Sequence, residues 1–505
     1  MKNRSKAFTR LLALLMAFGV LAAACGSSVD DAVDAAEDVE DAAEDVVDDA
    51  TDAAEDAVED VEDAVDEAME DGEVGSIVDG VATGTAGFTI DTNACPDGWS
   101  NTQGVTDDEV LLGHSFIFSG TLAGYGAISD GMKAWFEAKS AEDPEAYGGR
   151  TVTLVAKDDG YEPARTVSNI TELLEKDGIF AAASMAGTPN NLAVYDTLND
   201  ECVPHLFAAT GHPAWGDPVN HPWTTPSFLS YTTEGQVWAQ YILGLQDSGD
   251  LPNPTTVGNL TMNNDFGLAM LNGFKGAVDQ SDGRIEIVGD ELHDPSAPNL
   301  VNEITTLAGT DADVVIVGTA GVACTQGMTG VAESSWEPKE KIIAAVCFGA
   351  GQFEPAAAAG DGWVLTGGLK DIRSEQYDGD ETVEEGRRIF DDAGVDWKQN
   401  ANAGSALLYS IPTLEALKAA NELPGGITRT NLVIGARALD FQHPYYADGI
   451  RWHMDGLDDA YTIEATQLVK HALNDDIGYA EPEPVGDIID VDGTTDPCEW
   501  DGQTC

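Results

Sequence analysis

Basic side chains are scarce in this 505-residue chain: 24 Lys and Arg stand against 90 Asp and Glu, a formal net charge of −66 at pH 7. That imbalance excludes a nucleic-acid-binding surface, which needs a basic footprint to displace counterions. Long apolar runs are nearly absent too. Only residues 11–24 form one, and nothing reaches the ~18 uninterrupted apolar residues of a membrane span. No Cys-x-x-Cys pair occurs, which argues against structural zinc. The G-x-S-x-G, H-E-x-x-H and P-loop motifs are missing, and the eight histidines are scattered singly. No catalytic residue, metal or cofactor is therefore expected, and His205 and His212 read as structural loop histidines.

What is present is unevenly arranged. Residues 1–27 carry four bases and no acid. The basic stretch before the apolar run 11–24, then Ala24-Cys25-Gly26, reads as an export signal whose small residues precede a lipidated Cys25. Ordinary cleavage leaving a free Cys25 is the alternative. Residues 28–71 hold 22 acids and no base, in an 11-residue repeat with Ala/Val recurring on one stripe. Eleven residues over three turns is ~3.67 per turn, close to the natural helix. Like charges at i,i+4 oppose that helix, so a solvated, partly helical spacer is preferred to a coiled coil. The Gly-rich stretch 72–87 reads as a flexible hinge.

The remaining 434 residues hold 68 acids and 20 bases, as expected of a protein that stays hydrated at high salt or of an acidic extracellular one. They also hold six cysteines. Cys498 and Cys505 lie close in the tail. Cys324 and Cys347 follow successive strands and share one sheet edge, which leaves Cys95 with Cys202. Asp490, Asp492, Gly493, Asp496 and Glu499 match part of a calcium loop, but Ile488 takes its first position and Pro497 and Cys498 interrupt it, so a solvated acidic tail is expected.

From residue 107 apolar strands alternate with amphipathic helices. Strands are predicted at 110–118, 152–156, 179–184 and 204–209, then at 256–262, 285–288, 314–318 and 342–347. Helices are predicted at 127–140, 162–175 and 189–200, then at 234–247, 267–279, 298–308 and 325–335. Continuous apolar strands joined by helices mean parallel sheets buried on both faces, so the fold class is α/β with two doubly wound Rossmann-like lobes. The cleft between the lobes is the default ligand site.

Four segments carry a resemblance: Ser119 to Gly126 with Tyr125, the Asp158-Asp159-Gly160-Tyr161 step, the Gly187-Thr188 turn, and Pro204 to Thr210. Together they resemble the branched-chain-amino-acid type of periplasmic binding protein, from about 105 to about 470. The resemblance implies a type I fold of two lobes with three crossovers, closing on a small ligand and delivering it to an ABC permease. It implies a receptor on the outer face of the bacterial membrane or in the periplasm, held by a lipid anchor, with amino acids, amides or urea, or short carboxylates as ligand classes. A stand-alone sensor or adhesion module of the same fold is the alternative.

The implied ligand residues are Ser119, Tyr125, Gly187, Thr188, Ala208 and Thr210 in the N-lobe, and Phe266, Thr319 and Ala320 in the C-lobe. Thr hydroxyls and backbone amides there would hold a carboxylate, unless the threonines are only helix caps. One departure stands out. Amino-acid receptors of the family carry an acid for the ligand ammonium near the strand that here ends in Cys347-Phe348, and no acid is nearby. An unpartnered buried ammonium costs several kcal/mol, so an amide, a carboxylate or another small neutral metabolite stands level with an α-amino acid. The implied division is signal 1–25, spacer and hinge 26–87, N-lobe 88–232 and 367–455, C-lobe 233–366 and 456–475, and an acidic tail 476–505.

Overall fold

The computed structural model describes residues 73–491 and 497–501. The export signal, Cys25, the acidic repeat, Asp492, Gly493, Asp496 and Cys505 lie outside the described residues.

Residues 77–91 form a three-stranded antiparallel meander, β1 (Ile77–Val78), β2 (Val81–Thr83) and β3 (Thr89–Asp91). This corrects the expected flexible hinge. Asp79 and Gly80 both have positive φ (50° and 89°), so Val78 pairs with Val81 across a two-residue turn that Asp-Gly favours. Phe88 and Ile90 then pack with Trp223, Val433 and Ile434 in a small core. A disulfide between Cys95 and Cys202 ties the segment after β3 to the N-lobe.

The N-lobe continues through β4 (Glu109–Phe116), α1 (Gly126–Glu142), β5 (Thr151–Asp158), α2 (Pro163–Glu172), β6 (Ala181–Ala183), α3 (Thr188–Leu192), α4 (Tyr195–Asp200), β7 (His205–Ala208) and β8 (Thr224–Pro226). Its five strands are parallel, in the order β5-β4-β6-β7-β8. Every residue of β6 and β7 is buried, as strands covered by helices on both faces require. The single helix expected at 189–200 is two, broken at Ala193-Val194.

The chain then crosses to the C-lobe: α5 (Tyr231–Ser248), β9 (Thr255–Met262), α6 (Asp265–Asp279), β10 (Ile285–His293), α7 (Val301–Ala308), β11 (Val314–Gly318), α8 (Val322–Glu333), β12 (Glu340–Ile343), α9 (Ala350–Ala356) and β13 (Trp363–Gly367). β12 stops four residues before the expected end, and Ala345–Cys347 form a 3-10 turn instead. A second crossing returns α10 (Glu381–Ala393) and α11 (Ala406–Glu422) to α1, and α12 (Arg429–Ala436) to β8. After the hairpin β14 (Asp440–Gln442) and β15 (Arg451–His453), a third crossing places β16 (Ala465–Asn474) and β17 (Tyr479–Asp490) antiparallel on the C-lobe sheet, whose order is β10-β9-β11-β12-β13-β16-β17. Residues 479–490, read from sequence as acidic tail, are thus a sheet strand. Tyr479, Ala480 and Pro482 are buried at its start, and Glu483, Asp487 and Asp490 are exposed beyond.

The second expected disulfide is present as well: Cys324, in the first turn of α8, bonds Cys347. Cys498 is disulfide-bonded; Cys505, its expected partner, lies outside the described residues. Two doubly wound lobes with three crossings match the fold class read from the sequence.

Candidate functional site

The loops that leave the C-terminal ends of β6, β7, β11 and β12 meet between the lobes, where open α/β sheets bind ligands. They enclose a cavity of about 100 Å³.

Six of the nine expected residues line this cavity: Tyr125, Gly187, Thr188, Thr210, Phe266 and Ala320. Three do not. The Ser119 hydroxyl donates to Asp158 Oδ2 (2.7 Å), bracing the turn beneath Tyr161. Ala208 lies inside β7, its carbonyl accepting from Ser227, and it is Ala209 that reaches the wall. Thr319 is buried and its hydroxyl lies 2.9 Å from His293 Nε2.

The polar edge is a chain of hydroxyls. Thr188 Oγ1 and Thr210 Oγ1 are 2.5 Å apart. Thr210 donates to the Tyr231 hydroxyl at 3.4 Å, so Thr188 donates to Thr210 and the Tyr231 proton is left for an acceptor in the cavity. Burial raises the Tyr231 pKa further above its ordinary value, so it remains a donor. Neither threonine is a helix cap: α3 is capped at Gly187, with no side-chain cap bond.

Gly187 has φ 95°, and a Cβ there would sit 2.7 Å from Tyr161 Cε2, so only glycine lets the ring approach. Tyr161 itself has φ 67°, its amide held by Asp159 Oδ1 at 2.9 Å. Its hydroxyl accepts from Asn264 Nδ2 (3.0 Å), across the cleft at the start of α6. Phe266, two residues on, packs edge-to-face on Tyr231 with centroids 5.0 Å apart. Phe228, Phe348 and Tyr409 complete an aromatic wall, and Ser405 and Asn402 add polar groups from the α11 side.

No acidic, basic or histidine side chain is among the described residues lining the cavity. At the position where amino-acid receptors place the ammonium partner, Cys347 is in a disulfide and Phe348 faces the cavity. Glu234 lies behind the wall. Its Oε1 accepts from the Ala345 amide (2.7 Å) and the Thr366 hydroxyl (3.0 Å), and burial pushes its carboxyl up to about 7. His205 and His212 are buried and held neutral, their pKa values lowered by desolvation to about 3 and about 4, and neither lines the cavity.

A model of the periplasmic binding proteins matches residues 109–460. The chain belongs to the periplasmic binding protein family. It is a receptor for a small solute, and its cavity sits where that family's two lobes meet. Its fold is similar to that of a branched chain amino acid ABC transporter protein from Thermus thermophilus with bound valine, at 16% identity, a TM-score of 0.64, and 76% of this chain against 98% of that one. It is similar also to an R. palustris solute binding protein in complex with benzoate (16% identity, TM-score 0.61, 78% and 100%). A third similar structure is a fatty acid ABC transporter substrate-binding protein from Thermomonospora curvata (16% identity, TM-score 0.64, 79% and 96%). No curated protein matches the sequence.

Sequence reading missed Tyr231, Phe228, Phe348 and Tyr409. Tyr231 had a usable signal, since it opens the first helix after the first lobe crossing. Tyr409 had none: it sits in the first turn of α11, 284 positions after Tyr125.

Proposed function

We propose that this receptor captures a small apolar or aromatic monocarboxylate outside the cell and delivers it to an ABC permease, tethered through a lipid on Cys25 and the acidic spacer. The observation that carries the ligand class is the hydroxyl chain Thr188–Thr210–Tyr231 ending in a donor inside an aromatic cavity with no charged side chain. A carboxylate only accepts hydrogen bonds, so donors satisfy it. An ammonium would need an acid, and none lines the wall. Two of the similar solved structures, one in complex with benzoate and one a fatty acid ABC transporter substrate-binding protein, support the same class.

Calorimetric titration of the full chain with benzoate, benzamide, 3-methylbutanoate and valine tests it. Benzoate is expected to bind at least tenfold more tightly than benzamide, and 3-methylbutanoate more tightly than valine, which adds only the ammonium. Tighter binding of valine or benzamide would overturn the ligand class. A permease gene beside this one would support delivery; a kinase or cyclase gene would point to sensing.

A further inference from the structure

The Tyr125 hydroxyl is not free for a ligand. It donates to the Val346 carbonyl and accepts from the Gly321 amide, both at 3.1 Å. Tyr125 belongs to the N-lobe and both partners to the C-lobe, so the hydroxyl is a clasp between closed lobes. Its single proton is used, and it stays in place because burial pushes the group up to about 12.

Gly321 and Val346 sit on different loops, one after β11 and one after β12. The ladder between these strands ends at Val317 and Ile343, followed by one bond from the Ala344 amide to the Val317 carbonyl. Beyond that, the disulfide joins the loops. Cys324 is three residues past Gly321, and Cys347 is one past Val346. Both cysteines are fully buried. Gly321 has φ 61°, and a Cβ there would run into Leu122 of the N-lobe, so the same turn that presents the amide also lets the lobes meet.

We propose that the Cys324–Cys347 disulfide positions the two backbone groups that clasp Tyr125, and that Tyr125 and this cystine set the stability of the closed lobes rather than hold ligand. The inference deepens the receptor reading of this cleft. Its readouts need no ligand, so a wrong ligand class and a wrong clasp fail separately.

The test measures hydrogen exchange of the Gly321 amide and the radius of gyration by X-ray scattering, on the ligand-free full chain. The paired C324S/C347S variant is expected to speed Gly321 exchange at least tenfold and to enlarge the particle. Tyr125→Phe is expected to do the same, and adding it to the paired variant should give no further acceleration. The C95S/C202S pair is the control for a merely structural staple: it should lower the melting temperature and leave Gly321 exchange within twofold. Exchange within twofold of wild type in C324S/C347S, or effects of the two changes that multiply, would overturn the proposal. Should the paired serine variant not fold, phosphine reduction of the folded wild type, with cleavage of the 324–347 bond verified by alkylation and peptide mass, supplies the same readout. Unchanged exchange then overturns the proposal equally.

Discussion

The hydroxyl oxygens of Thr188 and Thr210 lie 2.5 Å apart, and both residues are buried in the cavity wall. Each arrives from the loop beyond a different parallel strand, β6 and β7, so their pairing depends on strand order. A buried hydroxyl keeps its partner or pays the desolvation cost of losing it. Thr210→Val should therefore act twice. It should weaken benzoate binding by about 0.5–1.5 kcal/mol, because Thr210 acts on the carboxylate only through the Tyr231 hydroxyl to which it donates. It should also lower ligand-free stability by about 1 kcal/mol, because Thr188 loses its acceptor. Calorimetry and a melt on the one variant separate these terms, and unchanged affinity would remove Thr210 from the site.

Glu234 gives a pH prediction. Burial raises its carboxyl from 4.5 to about 7 in the folded chain. Below pH 4.5 both folded and unfolded forms are protonated and no penalty exists. Between 4.5 and 7 the unfolded carboxyl ionises while the folded one does not, so the penalty grows, and above 7 it is complete. Glu234→Gln keeps an acceptor for the Ala345 amide and removes the charge. Its stability advantage over wild type should rise from near zero at pH 4 to on the order of 2–3 kcal/mol at pH 8. Denaturant melts at pH 4, 6 and 8 check this, and an advantage independent of pH would contradict the assignment.

Salt should stabilise the fold and speed ligand entry. The 434 residues after the acidic repeat hold 68 acids and 20 bases, so self-repulsion is strong at low ionic strength. The screening length falls from ~30 Å at 0.01 M to ~3 Å at 1 M. The melting temperature is expected to rise from 10 mM to 1 M NaCl. The association rate of anionic benzoate should rise over the same range, while that of neutral benzamide stays flat. Melts and stopped-flow mixing measure both, and a flat melting temperature would dismiss the halophile reading.

Gly187→Ala tests the ring contact. It places a residue at φ 95° and a Cβ 2.7 Å from the Tyr161 ring. The backbone strain alone costs of order 1–3 kcal/mol. A melt should show that loss, and benzoate affinity should fall with it as Tyr161 is displaced from Asn264. Wild-type affinity in a destabilised variant would mean that the ring position does not matter for binding.

Much of the scaffold was legible because its signals are local. Continuous apolar runs marked strands such as β11, and positive-φ glycines fell in the turns that needed them. The misreadings were local as well. The Asp79-Gly80 pair is a hairpin signal that the glycine-rich composition around it obscured. β17 looked like tail because only Tyr479, Ala480 and a few later residues turn inward. The strand expected at 342–347 ended early because the Ala345 amide and Cys347 are engaged elsewhere, by Glu234 and Cys324.

Two doubly wound lobes, the expected pairs 95–202 and 324–347 and the acidic charge were legible along the chain, and the family resemblance added six residues that line the cavity. Period, apolar runs and residue type are properties of neighbours along the chain, and they carry the lobes and the charge without a fold. Folding alone brings the Tyr125 hydroxyl to the Val346 carbonyl and the Gly321 amide of the opposite lobe, keeps Ser119, Ala208 and Thr319 out of the wall, and brings Tyr231, Phe348 and Tyr409 into it. Those outcomes depend on how loops from separate strands and helices converge across three crossings. A contact between positions hundreds of residues apart leaves no periodicity in either segment, so the chemistry of the cleft becomes readable only when the lobes close.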